Sequence, residues 1–159
     1  MNGNKRLKSI SNVNIHPLKD INVSTANEFH IWQRDNLPSW LVIQDIDTWI
    51  LMPANSKKAY EPIAIIEEKR SYKDPEEWEP YEKDKPNYIA LYRLSQRARL
   101  PLWVLYFKKG EPLKKVALYK VESVNAQPHD WIKYDKRTYT TDQLKNNFES
   151  IFGIDEEND

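Results

Sequence analysis

The sequence predicts a single α/β or α+β domain. Three observations predict it. Runs rich in β-branched and aromatic residues recur at 40–52, 62–69, 101–107 and 115–121. Stretches with apolar residues at helical spacing stand before, between and after them. The chain has 159 residues, about one domain's worth, and needs no staples to hold a core.

Residues 1–20 are polar, weakly basic and without periodicity, which predicts a flexible arm ahead of a domain spanning 21–154. Thr25-Ala26-Asn27-Glu28 fits a capping box, threonine at the cap and glutamate three residues later. The helix it starts runs to about Asp35, with Phe29 and Trp32 on one face, and Leu37-Pro38 closes it. Residues 40–52 read as one bent strand or two, and 53–60 as a turn. Residues 62–69 form a further strand, apolar until its last three residues. Apolarity on both faces places that strand inside a sheet.

Residues 71–87 hold Pro75, Pro80, Pro86 and six acidic side chains, and read as a loop or an irregular insertion. Residues 88–99 read as a helix with Leu91, Leu94 and Ala98 on one face and Arg93, Gln96 and Arg97 on a neighbouring one. A strand at 101–107, a hairpin turn at Lys108-Lys109-Gly110-Glu111 and a returning strand at 115–121 follow. Residues 124–139 read as irregular. A last helix starts near Thr140 or Thr141, carries Leu144, Phe148, Ile151 and Phe152 on its apolar face, and stops at Gly153. Residues 155–159 are an acidic tail. Trp40, Trp49 and Trp103, lying in strands, are expected in the core. Trp131, Tyr134 and Tyr139 stand among Lys133, Lys136 and Arg137, which suits stacking on unpaired bases or a loop packed by its own rings.

Composition excludes several functions. Cysteine is absent, which removes disulfides, thiolate metal sites and cysteine nucleophiles. Three glycines, far apart, leave no glycine-rich phosphate loop. No apolar run approaches the ~20 residues of a membrane helix, and no signal-peptide core follows Met1. The chain reads as soluble and cytoplasmic, without a membrane partner. Net charge is zero, yet residues 20–87 hold 14 acidic against 8 basic side chains and residues 88–145 hold 12 basic against 5 acidic. Either this is ordinary solvated charge, or an acidic metal pocket lies beside a basic surface for phosphates.

The carboxylates are placed unusually. Asp45 and Asp47 lie within an apolar strand pattern and share one face. Glu67 and Lys69 end another such strand on one face, while Glu68 points the other way. An unpaired buried carboxylate is costly, and several together repel. A hard divalent cation offsets this directly, and Lys69 neutralises one charge more. A chain this rich in Glu and Lys yields an E-x-K triplet by chance, so the information lies in its strand context.

In Asp45-Ile46-Asp47-Thr48-Trp49-Ile50 followed by Ile63-Ala64-Ile65-Ile66-Glu67-Glu68-Lys69, the sequence resembles the PD-(D/E)xK nuclease superfamily, in particular the small nuclease domains of phages and mobile elements. The resemblance covers about residues 25–125. It implies a restriction-endonuclease-like core, a mixed sheet of four to five strands flanked by helices, and metal-dependent endonuclease or other nuclease activity on DNA, with RNA left open. It implies Mg²⁺ or Mn²⁺ held by the aspartate (Asp47, or Asp45) and by Glu67, with Lys69 orienting the attacking water. Asp47, Glu67 and Lys69 are thus the expected catalytic set, with Asp45 as a further metal ligand. Some members add a glutamate in the first helix and a polar residue in the second, which Glu28 and Gln96 match. Arg93, Arg97, Lys108 and Lys109 are the candidates for phosphate contacts, and a homodimer would let two sites cut both strands. The sequence departs from the pattern in three respects. Gln44 and Ile46, not proline, precede the aspartates; Glu68 adds an acid; and the acidic stretch 71–87 would repel phosphates near a DNA cleft. The rival expectation is a binding or interaction module on the same fold, without turnover.

Overall fold

The computed structural model describes residue 32 and residues 35–38, 46–53, 60–126 and 130–154. The chain divides into two compact units, Met1–Asp45 and Ile46–Asp159. In the first, Trp32, Asp35 and Asn36 are helical, and Asn36 Nδ2 donates to the Trp32 carbonyl at 2.8 Å. The expected capping box at 25–28 and Trp40 lie outside the described residues.

The second unit is α+β. Its strands are β1 (Thr48–Pro53), β2 (Tyr60–Ser71), β3 (Leu102–Lys108), β4 (Lys115–Val124) and β5 (Ile132–Thr140), and its helices are α1 (Lys85–Ala98), α2 (Thr141–Asn146) and α3 (Phe148–Phe152). The strands form one mixed sheet in the order β1-β2-β3-β4-β5. Only β2 and β3 run parallel, joined by a crossover through α1; the other neighbours are antiparallel. Among the described residues no helix is long and apolar enough to cross a membrane.

Alternation along β2 explains its inside position. Ile65 packs into one cluster with Leu91, Val104 and Tyr119, while Ala64 and Ile66 pack on the opposite face with Trp103, Leu118 and Phe152. The expected interior strand at 62–69 is therefore present, longer by two residues at each end.

Helix α1 buries Tyr88, Leu91 and Ser95, whereas Leu94 is 40% exposed and Ala98 is exposed. The expected Leu91–Leu94–Ala98 face is corrected accordingly. Ser95 takes the buried place because its hydroxyl donates to the Tyr92 carbonyl one turn back, at 2.8 Å, and so carries no unpaired donor inward. The helix ends at Arg99, which adopts the left-handed conformation at φ 58°.

Residues 132–140 correct a second expectation, since they form β5 rather than an irregular segment. Half-buried Ile132, Tyr134 and Lys136 alternate with exposed Lys133, Asp135 and Arg137. The period of two was present, but its inward residues were too polar to register as a strand. Trp131 packs against Tyr88 at 5.6 Å, Tyr134 packs edge-on to Tyr119 at 5.0 Å, and Tyr139 packs against the second cluster. These rings are engaged in packing. The last helix starts and stops where expected, at Thr141 and at the left-handed Gly153, but is split at Asn147 into α2 and α3; its start carries a capping box of Thr140 and Gln143. Trp49, expected in the core, is 51% exposed on β1.

The acidic loop between β2 and α1 is an ordered strap. Trp78 is 1% exposed and stacks on Tyr106 with ring centroids 4.3 Å apart. Its carbonyl accepts from the Tyr119 hydroxyl and from Lys136 Nζ, the latter at 2.9 Å. Around this anchor Asp74 pairs with Lys108 at 3.0 Å, Glu76 with Lys115 at 2.5 Å, and Glu79 accepts from Tyr134 at 2.6 Å. Part of the charge asymmetry of the sequence is thus matched within the unit, acidic strap against basic strands. Exposed pairs of this kind each contribute only about 0–1 kcal/mol; burial of the Trp78 ring contributes more.

Candidate active site

The β1–β2 register sets the site. Thr48 faces Ile66, so the position one residue outward brings Asp47 opposite Glu67. Asp47 sits just ahead of β1, not inside a strand. Its Oδ2 accepts the backbone N–H of Glu68 at 2.9 Å, which fixes the carboxylate against β2. Glu68 itself points away, as alternation requires: it is exposed, and its Oε1 accepts from Thr48 Oγ1 at 2.5 Å.

Glu67 is the buried member, 3% exposed. Its Oε1 lies 2.6 Å from Lys69 Nζ and 2.8 Å from Asn87 Nδ2. Burial pushes the Glu67 carboxyl above its ordinary value, Lys69 pulls it back, and the neighbouring Asp47 carboxylate raises it again; the net direction is upward. Tyr88 lies beneath this pair, with Lys69 Nζ 5.7 Å from its ring centre. The Tyr88 hydroxyl is fully buried and has no partner among the described residues. Burial, with Glu67 nearby, pushes it upward too.

Asp47, Glu67 and Lys69 are therefore brought together. Asp45 and Glu28 lie outside the described residues. Gln96 is exposed and nine residues beyond Asn87 on α1, two and a half turns further along and on the opposite side of the helix. Asn87, which the sequence reading missed, supplies the helix contact instead. Its signal was Pro86: a proline in the first turn starts the helix at Lys85, which puts Asn87 in that same turn.

Among the described residues no group of three or more acidic or imidazole side chains gathers around one point. Two carboxylates with hard oxygen donors nonetheless suit Mg²⁺ or Mn²⁺, since Mg²⁺ is commonly held by one or two carboxylates together with substrate phosphates.

The four candidates for phosphate contacts fare differently. Arg93 and Arg97 are exposed on the outward side of α1. Lys108 is held by Asp74 at 3.0 Å and Glu111 at 2.9 Å, and these two carboxylates raise it above its usual range. Lys109 is exposed and spans the Tyr72 ring at 4.3 Å. Compared with protein-family models, with curated protein sequences and with solved structures, the chain matches none.

Proposed function

We propose that this chain is a divalent-metal-dependent nuclease that hydrolyses phosphodiester bonds, with DNA as the expected substrate. The observation that supports this most is the meeting of Asp47, Glu67 and Lys69 at the end of β1–β2, an ammonium 2.6 Å from a buried carboxylate that a second carboxylate presses upon. Asp47 and Glu67 would hold Mg²⁺ or Mn²⁺. When bound, the cation polarises a phosphoryl oxygen and lowers the pKa of a coordinated water. Lys69 supplies positive charge where negative charge builds on the phosphoryl oxygens. Asn87 and the Glu68 N–H keep the two carboxylates in place before substrate arrives. Symmetric cutting of a duplex would take two copies of the chain; one copy serves for a single strand.

The second reading is a nucleic-acid-binding module without turnover. One observation favours it: Glu67 Oε1 is already satisfied by the chain's own Lys69 and Asn87. Incubation of supercoiled, linear and single-stranded DNA with Mg²⁺, Mn²⁺ or EDTA separates the two. Cutting that needs metal and disappears in Glu67→Gln and Lys69→Ala supports the nuclease. Retention of DNA without cutting in any metal supports the module.

A further inference from the structure

We propose that Tyr72 and Lys109 form a stacking platform for an unpaired nucleotide, so that the substrate strand is single-stranded where it meets this chain. The inference rests on the nuclease reading and names its substrate class.

Tyr72 directly follows β2, three residues beyond Lys69. The chain's reach puts the two Cα atoms within about 11 Å. Tyr72 is 71% exposed even with the Lys109 ammonium 4.3 Å from its ring centre. Of the six lysine–ring contacts among the described residues this is the shortest, and the one made on an exposed ring; the others lie over buried or half-buried Tyr81, Tyr88, Trp103 and Tyr119.

The pair is held by what surrounds it. The Lys109 N–H donates to the Ser71 carbonyl at 2.8 Å. Ser71 Oγ and the Lys73 carbonyl both bond the buried Tyr106 hydroxyl, each at 2.7 Å, so the residues on either side of Tyr72 are pinned. Gly110, at φ 85°, comes so near the ring that a Cβ there would lie 3.6 Å from Cε1. Lys108 is engaged by Asp74 and Glu111, whereas Lys109 makes no ion pair among the described residues.

An exposed ring with a cation across it, already ordered, suits a base and the phosphate next to it. Bases inside a duplex are stacked on each other and offer no face to such a ring. The platform therefore selects an unpaired base.

The test is fluorescence anisotropy in EDTA with a labelled oligonucleotide of roughly 15 nucleotides, single-stranded or annealed to its complement. The wild type is expected to bind the single strand more tightly than the duplex. Tyr72→Ala is expected to weaken single-strand binding about tenfold, while Tyr72→Phe retains it. Lys109→Ala is expected to weaken binding and reduce its salt dependence by about one phosphate contact, and Lys114→Ala, on the same turn, serves as the exposed-lysine control. Unchanged binding in Tyr72→Ala, equal affinity for both forms, or no single-strand binding by the wild type overturns the platform. Cleavage with Mg²⁺ is read separately. A wild type that binds through Tyr72 but cuts nothing upholds the platform and overturns the nuclease reading.

Discussion

Asn87 Nδ2 and Lys69 Nζ converge on the same oxygen of Glu67, at 2.8 and 2.6 Å, one reaching from the first turn of α1 and the other from the strand that carries the carboxylate. The crossover between β2 and β3 thereby locks an acid that alternation along β2 alone would only aim inward. Loss of the amide in Asn87→Ala removes one of the two donors that meet on that oxygen. Mn²⁺ affinity, followed by calorimetric titration, is expected to fall about 10–100-fold, as for other residues that orient a metal ligand. An unchanged affinity would show that Asn87 does not position Glu67 for metal.

Asp47 presses on Glu67 at close range, a contact that favours cation binding and disfavours the metal-free fold. Asp47→Asn keeps an oxygen that can accept the Glu68 N–H. In EDTA it is expected to raise stability by about 0.5–1 kcal/mol in urea unfolding, while abolishing any metal-dependent cutting. A variant that is both less stable and fully active contradicts the assignment.

The upward direction of Glu67 gives a pH dependence with a definite sign. The folded state binds the Glu67 proton more tightly than the unfolded state does. This stabilising contribution is complete below the ordinary carboxylate range and is lost as pH rises through the raised folded value. Glu67→Gln removes the ionisation. In EDTA the melting temperature of Glu67→Gln relative to wild type is therefore expected to climb as pH rises from the ordinary carboxylate range upward, and a flat or falling difference refutes the assignment. Added Mg²⁺ is expected to stabilise the wild type above that range and to leave the Gln variant unmoved.

Trp78 anchors the acidic strap. Truncation in Trp78→Ala empties a buried site against Tyr106, Tyr119 and Tyr81 and is expected to cost about 3–5 kcal/mol. Charge removal in Glu76→Gln breaks only an exposed pair with Lys115 and is expected to cost less than about 1 kcal/mol. Comparable losses in the two variants would mean that ion pairs, not the ring, hold the strap.

Arg99 takes a left-handed conformation at φ 58° that its Cβ disfavours. Arg99→Gly is expected to raise stability by up to about 1 kcal/mol, because glycine fits this helix stop without strain. Thermal unfolding in a buffer of fixed salt measures it.

Much of this molecule was legible from short-range pattern. The interior strand at 62–69 announced itself because Ile63, Ile65 and Ile66 are β-branched and nothing polar interrupts them until Glu67. The facing of Glu67 and Lys69, with Glu68 turned away, follows from the period of two along any strand. Thr140, Gln143 and Gly153 mark their helix ends through local hydrogen bonding and backbone conformation, which need no partner elsewhere in the chain. Longer-range relations were decided only in three dimensions. Residues 71–87 read as an acidic loop, and nothing local marks Trp78 as its anchor, because its partners Tyr106 and Tyr119 lie 28 and 41 residues away. β5 escaped notice because Lys136, a charged residue, holds its inward place by donating to the Glu76 and Trp78 carbonyls of the strap. Asn87 rather than Gln96 reaches Glu67 because the crossover sets which turn of α1 passes over the end of β2. Local sequence thus settled which residues point the same way; which of them meet depended on chain crossings that no single segment encodes.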